Sequence, residues 1–220
     1  MKIDTIQYIS QGNTPTIHLQ NIQKVCECGG RWIQLRLKNK TPKEVLETAI
    51  KAKEICQQYS AKLIINDHVE VANVVNADGV HLGKEDMCPQ VARKILGKEK
   101  IIGGTANTSQ DIEKLIKKGV DYIGLGPFRH TNTKEKLSPI LGIKGYKNIF
   151  FELNKKTKTT PIIAIGGIVK EDIEELKLAG IYGVAMSGYL TSEIREIKTH
   201  DLTKRLDVIK EILNQKTINV

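Results

Sequence analysis

The stretch "WIQLRLKNKTPKEVLETAIKAKEICQQYSAKLIIND" (Trp32–Asp67) holds one complete unit of the fold. It opens on "WIQLRLK", a run in which apolar and polar residues alternate from Ile33 onward. It continues into "TPKEVLETAIKAKEICQQY", where Val45, Ala49, Ala52 and Cys56 recur at three-to-four spacing, the period of a helix with one buried face. Thr41 suits the N-cap, and Pro42 suits the first helical position, where a missing N–H costs nothing. The stretch closes on "AKLIIND", a second run of strand type. A strand, a capped helix and another strand follow one another without a linker.

The same alternation runs along the chain. Including these two, the strand-like runs are "IQYIS", "WIQLRLK", "AKLIIND", "GVHLG", "KIIGGTA", "DYIGLG", "PIIAIGG" and "YGVAMSG", eight in all. Between them, "TSQDIEKLIKKG" starts on a Thr108/Ser109 cap and stops at Gly119, and "VKEDIEELKLAG" stops at Gly180. Alternating strands and helices imply parallel strands joined by right-handed crossovers. Eight repeats in 220 residues, with no linker rich in Pro, Ser or charge, predict an α/β fold: a single (β/α)8 TIM barrel over residues 1–220. Its last element is an amphipathic helix over about 200–215, with Leu202, Leu206, Ile209 and Ile212 on one face. The alternative is an open doubly wound sheet. That fold announces itself with a glycine-rich turn after the first strand, and "ISQGNTP" is not G-x-G-x-x-G.

Composition narrows the class. Hydrophobic residues make up 40% of the chain, enough for a packed core. The net charge of +9 favours anionic partners in general, though a lysine-rich solvated surface accounts for most of it. Aromatic residues are only 5%, and no helix or tail concentrates arginine, which argues against nucleic acid. No apolar run approaches the ~20 residues of a membrane span, and "MKIDTIQYIS" lacks a signal-peptide core, so a cytoplasmic location is expected. Cys26 and Cys28 form a C-x-C pair with no second pair to complete a zinc site, so reduced thiols are expected. The sequence does not give the oligomeric state, though barrels of this size often pair as homodimers.

A barrel places its chemistry at the C-terminal ends of the strands. In "WIQLRLK", Gln34, Arg36 and Lys38 share one face while Ile33, Leu35 and Leu37 share the other. The apolar set suits the outer helices, so the polar set points inward. Two cations there are costly unless an anion neutralises them. "LIIND" ends on Asn66 and Asp67, and "DGVHLGKED" brings Glu85 and Asp86 just past the next strand. Asp67 has two readings, helix cap or metal carboxylate. Two carboxylates on neighbouring strand ends beside two cations point to Mg²⁺ bridging to a phosphate. His81 reads as a hydrogen-bonded core residue, and Asp78 as part of the preceding turn. Thr105 offers a hydroxyl in "GGTANT", and the glycine-rich ends "AIGGI" and "AMSG" suit a phosphate held by backbone N–H groups. The loop "GPFRHTNTK" (Gly126–Lys134) lies between these two anion sites in chain order.

These ordered motifs, from "WIQLRLK" through "IIND", "DGVHLGKED", "IIGGTANT" and "DYIGLGPFRHTNTK" to "AIGGI" and "GVAMSG", resemble thiamine phosphate synthase over nearly the whole barrel. The resemblance implies that Gln34, Arg36, Lys38 and Asn66 hold the diphosphate of hydroxymethylpyrimidine diphosphate. It implies Mg²⁺ on Asp67 and Asp86, with the Thr105 hydroxyl, usually a serine, near the diphosphate. Thr131 and Thr133 would reach the thiazole phosphate and Lys134 the diphosphate. Gly167 and Ser187 would complete the phosphate cradle, with Gly188 sharing that role if the strand-eight match shifts by one residue. The chain departs from the family at Lys84, often glutamine, at His68, often arginine, and at Arg129–His130, commonly phenylalanine–proline.

The implied reaction needs no protein nucleophile. Diphosphate leaves a benzylic-type CH₂, and the thiazole nitrogen attacks that carbon. Mg²⁺, Arg36, Lys38 and Lys134 would carry catalysis by neutralising the leaving group, and the phosphate anchor would orient the ring. The partners are thus two small phosphorylated substrates. The rivals are a thiazole tautomerase using His130 as acid or base, another phosphate-sugar barrel enzyme, and a non-catalytic phosphometabolite-binding protein. Whether the segment 134–146 closes as a lid is left open by the sequence.

Overall fold

In the computed structural model, residues 3–130, 139–153, 160–191 and 199–215 are described. They form a closed, wholly parallel barrel of eight strands in the order β1 to β8, not an open sheet. The strands are β1 (Ile6–Ile9), β2 (Trp32–Leu35), β3 (Lys62–Asn66), β4 (Gly79–Leu82), β5 (Ile101–Ala106), β6 (Tyr122–Leu125), β7 (Ile162–Ile165) and β8 (Gly183–Met186). The helices are α1 (Pro15–Glu27), α2 (Pro42–Gln58), α3 (Val69–Val74), α4 (Pro89–Leu96), α5 (Ser109–Lys117), α6 (Gly142–Glu152), α7 (Ile173–Ala179), the short α8 (Gly188–Thr191) and α9 (Thr199–Asn214). The barrel closes where Ile6, Gln7 and Tyr8 of β1 pair with Val184, Ala185 and Met186 of β8.

Helix starts follow local chemistry. The Thr41 hydroxyl accepts from the Glu44 N–H, and the Glu44 carboxylate accepts in return from the Thr41 N–H. Thr108 and Asp111 make the same reciprocal cap on α5. At the other end, Gly180 terminates α7 at φ +114°, a conformation that glycine adopts without a Cβ penalty.

The alternation in each strand sorts two cores. Ile33, Leu35 and Leu37 join the outer layer between barrel and helices, with Val45, Ala49, Ala52 and Cys56 of α2. Inside the barrel, Ile9, Trp32, Ile64, Ile101, Tyr122, Ile163 and Ala185 pack together. Trp32 meets Tyr122 edge-to-face at 4.8 Å between ring centres, a geometry worth ~1 kcal/mol beyond its area. Cys26, Cys28 and Cys56 are buried free thiols, and Cys88 is half-buried and also free. Among the described residues, no helix is long and apolar enough to cross a membrane.

Candidate active site

The C-terminal strand ends open into one cavity of about 910 Å³. Gln34, Arg36, Lys38, Asn66, Asp67, Asp86, Thr105, Gly167, Ser187 and Gly188 all line it. Thr131, Thr133 and Lys134 lie outside the described residues, as does the first part of the segment 134–146. The last part of that segment turns into α6, which starts at Gly142.

Beneath the mouth runs a buried polar chain. Gln34 Nε2 donates to Gln7 Oε1 at 3.2 Å, and Gln7 Nε2 donates to the Tyr122 hydroxyl at 3.2 Å. His81 Nδ1 meets the same hydroxyl at 2.9 Å, and its Nε2 meets Thr105 Oγ1 at 3.0 Å. His81 is therefore an engaged core residue, and Gln34 and Thr105 are linked across the barrel. Burial pushes the Tyr122 hydroxyl pKa well up, so it stays protonated and can donate. Gln34 is 1% exposed, one layer deeper than the cations above it.

At the rim, burial lowers the Arg36 pKa, while the Asp67 carboxylate works against that shift. Lys38 Nζ lies 3.5 Å from Asp67 Oδ2. Asp67 does not cap α3: His68 holds the N-cap position, and no side chain bonds to the helix start. Instead its backbone adopts φ +66°, with its N–H donating to the His81 carbonyl at 2.9 Å, and its carboxyl meets that of Asp86. Burial, and then the Asp86 carboxylate, push the Asp67 pKa up. Asp86 also accepts from the Gly83 N–H at 2.6 Å. Two apposed carboxyls suit a hard dication such as Mg²⁺, which commonly takes one or two carboxylates plus substrate oxygens and water. Among the described residues no group of three or more His, Cys, Asp or Glu assembles, so an all-protein metal cage is not what this rim offers.

Across the mouth the wall is backbone. Gly166 and Gly167 turn at φ +96° and +70°, and Ser187 Oγ donates to Gln11 Oε1 at 3.3 Å. The departures from the family fall beside these walls. Lys84 pairs with Asp111 at 2.7 Å. Burial alone would raise the Asp111 pKa, but Lys84 and the Asn107 N–H outweigh it and hold that carboxyl below the usual range. Arg129 pairs with Asp172 at 2.6 Å, and His130 is exposed. Sequence reasoning passed over the loop after β1. There the Arg36 N–H donates to Ser10 Oγ at 3.1 Å, Ser10 Oγ meets His18 Nδ1 at 2.8 Å, and His18 Nε2 meets the Gly12 carbonyl at 3.0 Å. Ser10 directly follows a strand end, so the strand-end rule alone would have found it.

The family model described as thiamine monophosphate synthase matches residues 8–190. The thiamine-phosphate synthase of Flavobacterium johnsoniae is 50% identical over 202 residues, covering 91% of this chain and 95% of that protein. The thiamine-phosphate synthase of Phocaeicola vulgatus is 47% identical over 183 residues, covering 83% of this chain and 88% of its own. Among solved structures, thiamine phosphate pyrophosphorylase from Pyrococcus furiosus superposes with a TM-score of 0.78 at 27% identity, covering 96% of this chain and 97% of that one. With the match spanning the strands that build both walls of the mouth, the chain belongs to the thiamine monophosphate synthase family.

Proposed function

We propose that this mouth joins hydroxymethylpyrimidine diphosphate to thiazole phosphate, giving thiamine phosphate and pyrophosphate, a transferase reaction. The observation that carries the reading is one cavity with a cationic wall just past β2 and a glycine-backbone wall after β7, the pairing that two phosphorylated substrates require. Arg36 and Lys38 hold the diphosphate and take up the charge that grows on it as the C–O bond breaks. Asn66 and the Thr105 hydroxyl hydrogen-bond the same group. Gln34, to which the resemblance also gives the diphosphate, sits deeper than the two cations, at 1% exposed. Gly167, Ser187 and Gly188 anchor the thiazole phosphate, so the ring nitrogen faces the CH₂ carbon it attacks. Thr131, Thr133 and Lys134 take the roles the resemblance gives them, the threonines on the phosphate and Lys134 on the diphosphate.

Asp67 and Asp86 would hold Mg²⁺, which neutralises the departing pyrophosphate when bound. The reaction so written needs no protein nucleophile. His130 is exposed, and no described contact orients it as an acid or base, so nothing favours the tautomerase reading.

The test is incubation of the protein with both phosphorylated substrates and Mg²⁺, followed by assay for thiamine phosphate and pyrophosphate in equal amounts. Absence of both products would sink the assignment. Chelation should stop the reaction and added Mg²⁺ restore it.

A further inference from the structure

Arg129 lies in the loop after β6, and its hydrogen bonds run to the turn after β7. Its Nη2 donates to Asp172 Oδ1 at 2.6 Å and its Nη1 to Asp172 Oδ2 at 2.9 Å, a bidentate fork. The same Nη1 donates to the Gly167 carbonyl at 2.7 Å. The Arg129 N–H donates to the Gly166 carbonyl at 3.0 Å, and the Phe128 N–H donates to the Ile165 carbonyl at 2.9 Å. Asp172 Oδ2 in turn accepts from the Val169 N–H at 2.8 Å, closing the far end of the turn. The guanidinium lies over the Phe128 ring at 5.1 Å, which fixes the side chain from its other face. The Asp172 side chain is only 11% exposed, so this is not a loose surface pair.

A trans peptide points its C=O and the following N–H in opposite directions. With the Gly166 and Gly167 carbonyls drawn onto Arg129, the N–H groups of Gly167 and Ile168 must face away from it. Both residues line the cavity and Arg129 does not. Among the described residues neither N–H meets an acceptor. The fit is close, since a Cβ on Gly167 would lie 2.3 Å from Arg129 Cγ. We propose that Arg129, locked by Asp172, is a positioning residue that pre-aims the Gly167 and Ile168 N–H groups at the phosphate of the thiazole substrate. The proposal rests on the reading that the turn after β7 holds that phosphate.

The experiment compares wild type with Arg129→Ala, Arg129→Lys, Asp172→Asn and the Arg129→Ala/Asp172→Asn double variant. Each substrate is varied in turn in steady-state kinetics. The KM for thiazole phosphate should rise about tenfold or more in Arg129→Ala, since hydrogen bonds to a charged group are being misaligned. The KM for the pyrimidine diphosphate should stay within about twofold. Arg129→Lys should recover part of the loss, and the double variant should be no worse than Arg129→Ala, because the two residues act as one unit. Both KM values unchanged, or both moving together, would overturn the proposal.

A second readout does not depend on turnover. Inorganic phosphate titrated into ¹⁵N-labelled wild type should shift the Gly167 and Ile168 amide signals, and in Arg129→Ala the same shifts should need about tenfold more phosphate. Equal titrations in the two proteins would overturn the positioning role. If wild type makes no thiamine phosphate but the titrations differ, the reaction is wrong and the positioning role stands.

Discussion

The two walls of the mouth are built by different means. On β2 to β4 the work falls to side chains: Arg36 and Lys38 carry charge, and Asp67 and Asp86 face each other beside them. After β7 the wall is main chain, where Gly166 and Gly167 adopt positive φ. A side-chain wall can be changed one residue at a time, and each charge it loses leaves its neighbours unbalanced. A backbone wall has no group to delete. It fails only when its shape changes, so its vulnerable residues are the glycines and whatever holds their peptides in place.

That contrast is sharpest at Arg36. Arg36→Ala should lower turnover by about a hundredfold or more, because a preorganised cation facing the leaving group is removed. Far-ultraviolet circular dichroism and the unfolding midpoint should stay near wild type, since a desolvated charge is lost rather than a packed core group. Turnover within tenfold of wild type would mean that the charged wall is not where diphosphate leaves.

Gly167→Ala tests the opposite wall. An alanine at φ +70° pays roughly 1–2 kcal/mol of strain and also collides with Arg129 Cγ. The KM for thiazole phosphate should rise about tenfold while the KM for the pyrimidine diphosphate holds. A rise in both would show that the walls do not act separately.

The smallest effect is expected beneath both walls. Tyr122→Phe deletes the hydroxyl shared by Gln7 and His81, leaving buried polar groups unpaired at a cost of about 1–3 kcal/mol. Thermal unfolding should fall by several degrees, with turnover down only a few-fold. An unchanged midpoint would mean the network adds nothing to stability.

Much of this was legible in the sequence, for identifiable reasons. The barrel follows from eight short β-branched or apolar runs with helix-periodic segments between most of them, and β-strand alternation told inside from outside at Ile33, Gln34 and Leu35. Arg36 stood out because a cation on a buried strand face is too costly to be casual. What stayed hidden were pairings across the chain. Gln7 and Tyr122 are 115 positions apart, and Arg129 and Asp172 are 43 apart. Each is an ordinary residue alone, and only barrel closure makes it a partner. Asp67 was ambiguous because an aspartate ahead of a helix is a common cap, and its left-handed backbone is what turns it away from that role.

One consequence of the rim pairs concerns how such barrels diverge. Lys84 after β4 grips Asp111 of α5, and Arg129 after β6 grips Asp172 just ahead of α7. Each loop is thus fastened to the repeat that follows it, and the repeats are not independent modules. A loop grafted here from a relative with phenylalanine–proline at 129–130 would strand Asp172 without its cation. A loop exchanged at this rim would have to move together with its carboxylate one repeat downstream, so the structural unit here is the pair of neighbours rather than the single βα repeat.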